Sequence, residues 1–364
     1  MLEGAVGRVL LQLDPETAHK WTLRLVRASD FLYPSVEADD ARLSQRLFGI
    51  DFKNPIGAAA GLDKDAEIFS FLIRKHGFGF VEVGTVTPKP QPGNEGPRVF
   101  RLAGDGAIVN RFGFNSHGQD TVRARLEKQV GRNDIVGVNL GANKDSADRI
   151  DDYVLGIQTF AASTTYFTIN VSSPNTPGLR TLQQAAALDE LLARVMDARE
   201  CAAESSPRRP ILLKIAPDLT LADLDDVVGV ARRHRIDGMI VSNTTISRPS
   251  GLRERELATK QGGLSGRPLF ALSTRMLAEA YVRAEKAFPL IGAGGIDSGA
   301  AAFAKIKAGA SLVQLYTGLI FRGIGLVGAI KADLLDFMRI GRLDSLSDAV
   351  GRDAAAITAE PWPT

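Results

Sequence analysis

Two asparagines bracket two serines in Asn170-Val171-Ser172-Ser173-Pro174-Asn175-Thr176-Pro177-Gly178, which follows directly on the apolar run Tyr166-Phe167-Thr168-Ile169. Ser, Asn and Pro are ordinary turn formers with local hydrogen bonds of their own. This cluster adds several donors, several acceptors and one candidate base, Ser173, at a strand end, where an α/β barrel keeps its chemistry. A serine hydroxyl is a weak base, so Ser173 needs a relay through a neighbour such as Thr176 or through water, and a pocket closed to bulk solvent.

Other strand ends carry chemistry of their own. Ala59-Ala60-Gly61-Leu62-Asp63-Lys64 offers small residues that let a flat ligand approach the backbone, then a lysine able to reach its edge. Lys214 lies inside the apolar run Leu212-Leu213-Lys214-Ile215-Ala216, and an unpaired buried ammonium is costly, so it requires an anionic partner or a depressed pKa. Gly292-Ala293-Gly294-Gly295-Ile296-Asp297-Ser298-Gly299 and Leu315-Tyr316-Thr317-Gly318 follow the last two apolar runs, where barrel loops bind phosphate through backbone N–H groups. The glycine string lacks the opening βαβ context of a dinucleotide fingerprint and reads as a mononucleotide phosphate site. Gln261-Gly262-Gly263-Leu264-Ser265-Gly266 reads as a flexible loop walling the same pocket. Asn110, Asn139, Asn170, Asn175 and Asn243 recur at run ends, and amides that both donate and accept suit a planar ligand such as a pyrimidine.

To converge, these residues need a scaffold. Eight apolar runs, 55–60, 78–86, 135–140, 166–171, 211–216, 238–242, 290–294 and 311–316, alternate with helix-like stretches such as 185–199, 221–235, 269–286 and 298–308. Eight βα units predict an α/β TIM (β/α)8 barrel; an open doubly wound sheet would stop at five or six strands. Residues 97–102 and 107–112 flank Gly104-Asp105-Gly106 and predict a β-hairpin inserted after strand two. An N-terminal amphipathic helical extension precedes the barrel. Residues 16–29 set Trp21, Leu25 and Ala28 on one helical face and Lys20, Arg24 and Arg27 on another, after a short apolar helix with Val6, Val9, Leu10 and Leu13. Such a pair docks on its own domain or lies on a membrane surface. The expected division is 1–40 extension, 41–340 barrel and 341–364 tail.

With 24% charged residues and a net charge of +2, the 364-residue chain has no basic block of the kind that binds nucleic acid. One cysteine, Cys201, excludes an intramolecular disulfide and a Cys-based zinc site, and no metal is expected. No apolar run reaches the roughly 18 residues of a bilayer span, and the first residues lack a signal peptide's pattern.

Residues 59–64, 110–115, 170–180, 242–245, 262–268, 292–297 and 314–317 together resemble the class 2 dihydroorotate dehydrogenase family, quinone-dependent and membrane-associated, from about Leu43 onward. The resemblance implies an FMN-containing barrel that oxidises (S)-dihydroorotate to orotate in pyrimidine synthesis. It assigns FMN contacts to Ala60, Gly61, Lys64, Thr85, Asn139, Asn170, Lys214, Ser242, Gly266, Gly295, Tyr316 and Thr317. Orotate contacts fall on Lys64, Asn110, Arg111, Phe112, Gly113, Phe114, Asn170, Asn175, Asn243 and Thr244. Ser173 is the implied base, where class 1 members carry Cys, and His19 and Arg101 are implied quinone-tunnel residues. A monomer on the cytoplasmic face of the cell membrane is expected. Competing readings are a Schiff-base aldolase or lyase using Lys214, a class 1 enzyme with a soluble acceptor, and a catalytically idle binding module.

Overall fold

Strands buried on both faces need apolar side chains at nearly every position, and the Val-, Ile-, Leu- and Phe-rich runs meet that demand. The structure, a computed structural model, describes residues 13–29 and 35–363. Helix α1 (Pro15–Ser29) comes first, then a short antiparallel hairpin, β1 (Gln45–Leu47) and β2 (Ile50–Phe52). The apolar helix expected before Pro15 lies, with Val6, Val9 and Leu10, outside the described residues.

The barrel strands are β3 (Ile56–Ala58), β4 (Phe80–Val86), β7 (Val136–Leu140), β8 (Tyr166–Asn170), β9 (Ile211–Ile215), β10 (Gly238–Val241), β12 (Leu290–Ala293) and β13 (Ala310–Leu315). They close in the order β10-β12-β13-β3-β4-β7-β8-β9, and every neighbouring pair is parallel. The register sets Asn170 beside Lys214 and Gly84 beside Asn139, so the polar strand ends stand at one height. Some of the outer helices begin on a side-chain cap: Asp148 accepts from Ile150 and Asp151, and Thr220 forms a capping box with Asp223.

Two elements differ from the sequence reading. The insertion is a three-stranded sheet: β5 (Val99–Leu102) and β6 (Ala107–Asn110) form the expected hairpin, and β11 (Gly263–Gly266), read from sequence as a loop, pairs antiparallel with β6. Glycines offer no side-chain periodicity, so nothing local announces this strand; a Cβ on Gly266 would meet the Gly106 carbonyl oxygen at 2.3 Å, which requires its bare backbone. The β1–β2 hairpin was also not anticipated. It closes the bottom of the barrel, where Phe52 meets Phe80 edge-on at 5.3 Å. Phe52, Phe80, Tyr166, Leu212, Ile240, Ile291 and Leu312 form one buried cluster there. The segment beyond 341 packs on the barrel: Arg275 donates to the Thr358 carbonyl at 2.8 Å and stacks over Trp362 at 5.0 Å. Among the described residues no helix is long and apolar enough to cross a membrane.

Candidate active site

The top of the barrel opens into a cavity of about 990 Å³ that reaches from the strand ends to the underside of α1. Of the residues singled out from sequence, Ala60, Gly61, Lys64, Thr85, Asn110, Phe112, Gly113, Phe114, Asn170, Ser173, Asn175, Lys214, Ser242, Asn243, Thr244, Gly266, Gly295, Tyr316 and Thr317 line it, as do His19 and Arg101. Two stand apart. Asn139 is fully buried behind the wall and acts through Thr85 and Asn170. Arg111 turns its guanidinium away to the Pro97 carbonyl, at 2.8 and 3.0 Å, and stacks over Phe100. It directly follows Asn110, the last residue of β6, so its side chain turns the opposite way from that of Asn110.

Ser173 is 6% exposed and accepts a hydrogen bond from the Asn175 backbone N–H at 3.3 Å. The loop that carries it is anchored by Arg180, which donates to the Ser172 carbonyl at 3.0 Å and to Asp218 at 2.9 Å. Asp218 also accepts from the Thr245 hydroxyl, so the ends of β8, β9 and β10 are tied together under the loop. Thr176, next in the loop, has a buried hydroxyl with no partner among the described residues. Asn175 donates to Asn110 at 3.3 Å, and Asn243 donates to Ser172 at 2.9 Å, which assembles amides from three segments, the end of β6 and the loops after β8 and β10, around one space.

Lys64 forms the opposite wall. Its ammonium donates to Asn115 at 2.5 Å and lies 3.3 Å from the Phe112 ring centroid. Burial, with the Arg98 guanidinium nearby, pushes it down to about 7. Arg98 in turn holds Glu16 of α1 through two bonds of 2.7 and 2.9 Å, so the helix is latched to the wall of the site. Ala18 is buried, while His19, Thr22, Leu25 and Val26 face the cavity. Trp21, which the sequence groups with Leu25, is 47% exposed and lies outside the cavity lining, with Arg24 stacked over it at 5.5 Å. Burial first, then Lys64, lowers His19 to about 4, which leaves its imidazole neutral near pH 7.

The far end of the cavity suits an anion: Gly294 and Gly295 take φ of +98° and +76°, and a Cβ on Gly295 would strike Phe270 at 2.5 Å. Loops of this kind turn successive N–H groups toward a phosphate. The cavity wall also holds a buried acceptor, Gln314 Oε1, with no partner among the described residues, where a ligand N–H fits.

Sequence reasoning missed Glu82. It is 0% exposed, on β4, and its Oε1 lies 3.6 Å from Lys214 Nζ. The signal was present, because the rule that flags a lysine in a buried run applies equally to Val81-Glu82-Val83. The partner that Lys214 requires is therefore supplied by the protein itself.

A family model described as dihydroorotate dehydrogenase matches residues 42–338. The dihydroorotate dehydrogenase (quinone) of Bradyrhizobium diazoefficiens is 61% identical over 98% of this chain and 96% of its own length. That of Rhodopseudomonas palustris strain HaA2 is 62% identical over 98% and 97%. A ligand-free DHODH crystal structure from Eimeria tenella superposes with a TM-score of 0.88 at 42% identity, covering 93% of this chain and 99% of that one.

Proposed function

The chain belongs to the dihydroorotate dehydrogenase family, and from that premise we propose that it oxidises (S)-dihydroorotate to orotate, with FMN as hydride acceptor and a membrane quinone as final electron acceptor, in pyrimidine biosynthesis. The observation that carries this reading is the cavity itself, in which a shielded serine, a ring of amides and a glycine-lined anion pocket face one another. The orphaned Gln314 acceptor and the open glycine turn at Gly294–Gly295 fit the ring edge and phosphate of FMN. Bound there, FMN supplies the hydride-accepting and electron-passing chemistry.

The protein's own residues supply the rest. Lys64 meets the substrate carboxylate, and Asn110, Asn175, Asn243 and Thr244 pair with the edges of the ring and fix its orientation. Asn170 serves both ligands, while Asn139 stiffens Asn170 from behind. Ser173 takes the C5 proton of dihydroorotate and hands it on through Thr176, whose buried hydroxyl has no partner among the described residues. The burial of both hydroxyls keeps bulk water from competing for that proton. Ser242, Gly266, Gly295, Tyr316 and Thr317, which line the cavity, would hold the cofactor, and Lys214 on the cavity floor would offer it a cation.

Helix α1, with His19 and Arg101, forms the quinone entry, and Lys20, Arg24 and Arg27 set a monomer against anionic headgroups at the cytoplasmic face of the membrane. The lyase alternative loses its support because the family model and the full-length relatives are dihydroorotate dehydrogenases. Anaerobic mixing of the purified protein with dihydroorotate tests the reading: the flavin absorbance should bleach and then return on addition of a long-chain quinone. A protein that carries flavin but is not bleached by dihydroorotate has another substrate.

A further inference from the structure

Glu82 receives hydrogen bonds from every side. Oε1 accepts from Asn139 Nδ2 at 2.8 Å, and Oε2 accepts from Thr168 Oγ1 at 2.9 Å, Gln314 Nε2 at 3.0 Å and the Tyr166 hydroxyl at 3.4 Å. Burial, with Glu82 alongside, holds the Tyr166 phenol well above its ordinary value, so it stays a donor. A buried ion pair is a weak source of stability, since apolar residues of similar volume often serve as well. The layer just below, Phe80, Tyr166, Leu212 and Leu312, is largely apolar. The charge is therefore retained where the barrel interior meets the cavity floor; there it touches Lys214 and Gln314 directly and reaches Asn170 through Asn139.

A carboxylate only accepts, and this fixes which way its amide neighbours point. Gln314 must present Nε2 to Glu82, which leaves Oε1 toward the cavity. Asn139 must do the same, so its Oδ1 accepts from Thr85 Oγ1 at 2.6 Å and Asn170 Nδ2 at 3.1 Å. Asn170 Oδ1 is then left to accept from Ser172 Oγ at 2.9 Å and Asn243 Nδ2 at 3.4 Å. One acceptor-only group thus sets the polarity of a chain that runs from the barrel centre to the residue before Ser173.

We propose that Glu82 is a positioning residue that offsets the charge of Lys214 and orients the Gln314–Asn139–Asn170 amides, so that the cavity floor presents a neutral ion pair and a fixed donor–acceptor pattern to the flavin ring. The inference rests on the flavin reading above. A carboxylate beneath the cavity floor would disfavour negative charge added to a group bound above it, and that influence is large in a low-dielectric site.

The test is the midpoint potential of the bound flavin in holoenzyme carrying Glu82→Gln. The equilibrium constant for two-electron reduction should rise about tenfold, an upward shift of ~30 mV, and orotate should bind more weakly because the amide chain loses its fixed direction. A potential within about twofold of wild type in that equilibrium constant would overturn the proposal. If Glu82→Gln yields no holoenzyme, Lys214→Met carries the test with Glu82 intact: the stranded carboxylate should shift the equilibrium constant about tenfold downward, and an unchanged potential would again overturn it. A colourless wild-type protein would sink the flavin reading itself, whereas a yellow wild type with unshifted variants sinks only the role of Glu82.

Discussion

The two ends of the same eight strands do opposite work. At the bottom, Phe80, Tyr166, Leu212, Ile240 and Leu312 point inward and the β1–β2 hairpin seals them. Two residues further along, the inward positions are Glu82, Thr168, Lys214, Ser242 and Gln314, all buried and polar. A step of about 6.6 Å along a strand converts a packed core into a cavity floor. In β4, β8, β9 and β13 the strand runs unbroken over that step, so the change there is one of side-chain chemistry. The lower layer spends its residues on cohesion, and the upper layer holds polar groups that only one another and a ligand can satisfy.

The sharpest break in this comparison comes from Ser173→Ala. The variant should fold and bind orotate, yet flavin bleaching by dihydroorotate should slow by about 10²–10⁴-fold, the usual contribution of a general base. Near-wild-type stopped-flow rates would remove Ser173 from the proton transfer. The bottom layer should behave in the reverse way. Phe52→Ala, which empties the plug, should cost about 3–5 kcal/mol in urea unfolding while the folded fraction bleaches at the normal rate. A large rate defect with little lost stability would mean that the two ends are not separable.

A smaller effect is expected from the roof. Deleting residues 1–34 removes α1 and its Glu16–Arg98 latch, so reoxidation by long-chain quinone and binding to anionic liposomes should fall while bleaching by dihydroorotate persists. Equal loss in both half-reactions would make α1 a structural cap instead. The smallest effect concerns Lys64. Burial has lowered its ammonium from 10.5 to about 7, so it is charged below that pH and neutral above it. Orotate affinity should therefore be greatest at acid pH and decline by up to about tenfold per pH unit above 7. Titration calorimetry that finds a flat profile from pH 6 to 8.5 would assign the carboxylate to another cation.

Much of the upper layer was readable in advance because polar residues at the ends of apolar runs are a local signal, and all eight runs lie within two residues of the observed strands at each end. The exceptions have physical causes. Gly263–Gly266 pairs with a segment 153 residues earlier, across Gly263 and Asn110, and its glycines carry no pattern of their own. The β1–β2 hairpin has three residues per strand, too few for alternation to stand out. Arg111 belongs to a polar motif, but the face its side chain takes was settled by the pairing of β6.

By itself the sequence determined the barrel, its inserted hairpin and the chemistry at each strand end, since periodicity and strand-end residue type are properties of short stretches. Tertiary structure alone decided what those residues meet. Glu82 and Lys214 lie on strands separated by β7 and β8 in the closed order, and only closure of the barrel turns both inward to meet at 3.6 Å. An isolated charge in a buried strand states that a partner must exist, because desolvation is too costly otherwise. Which partner it finds depends on the curvature of the whole sheet.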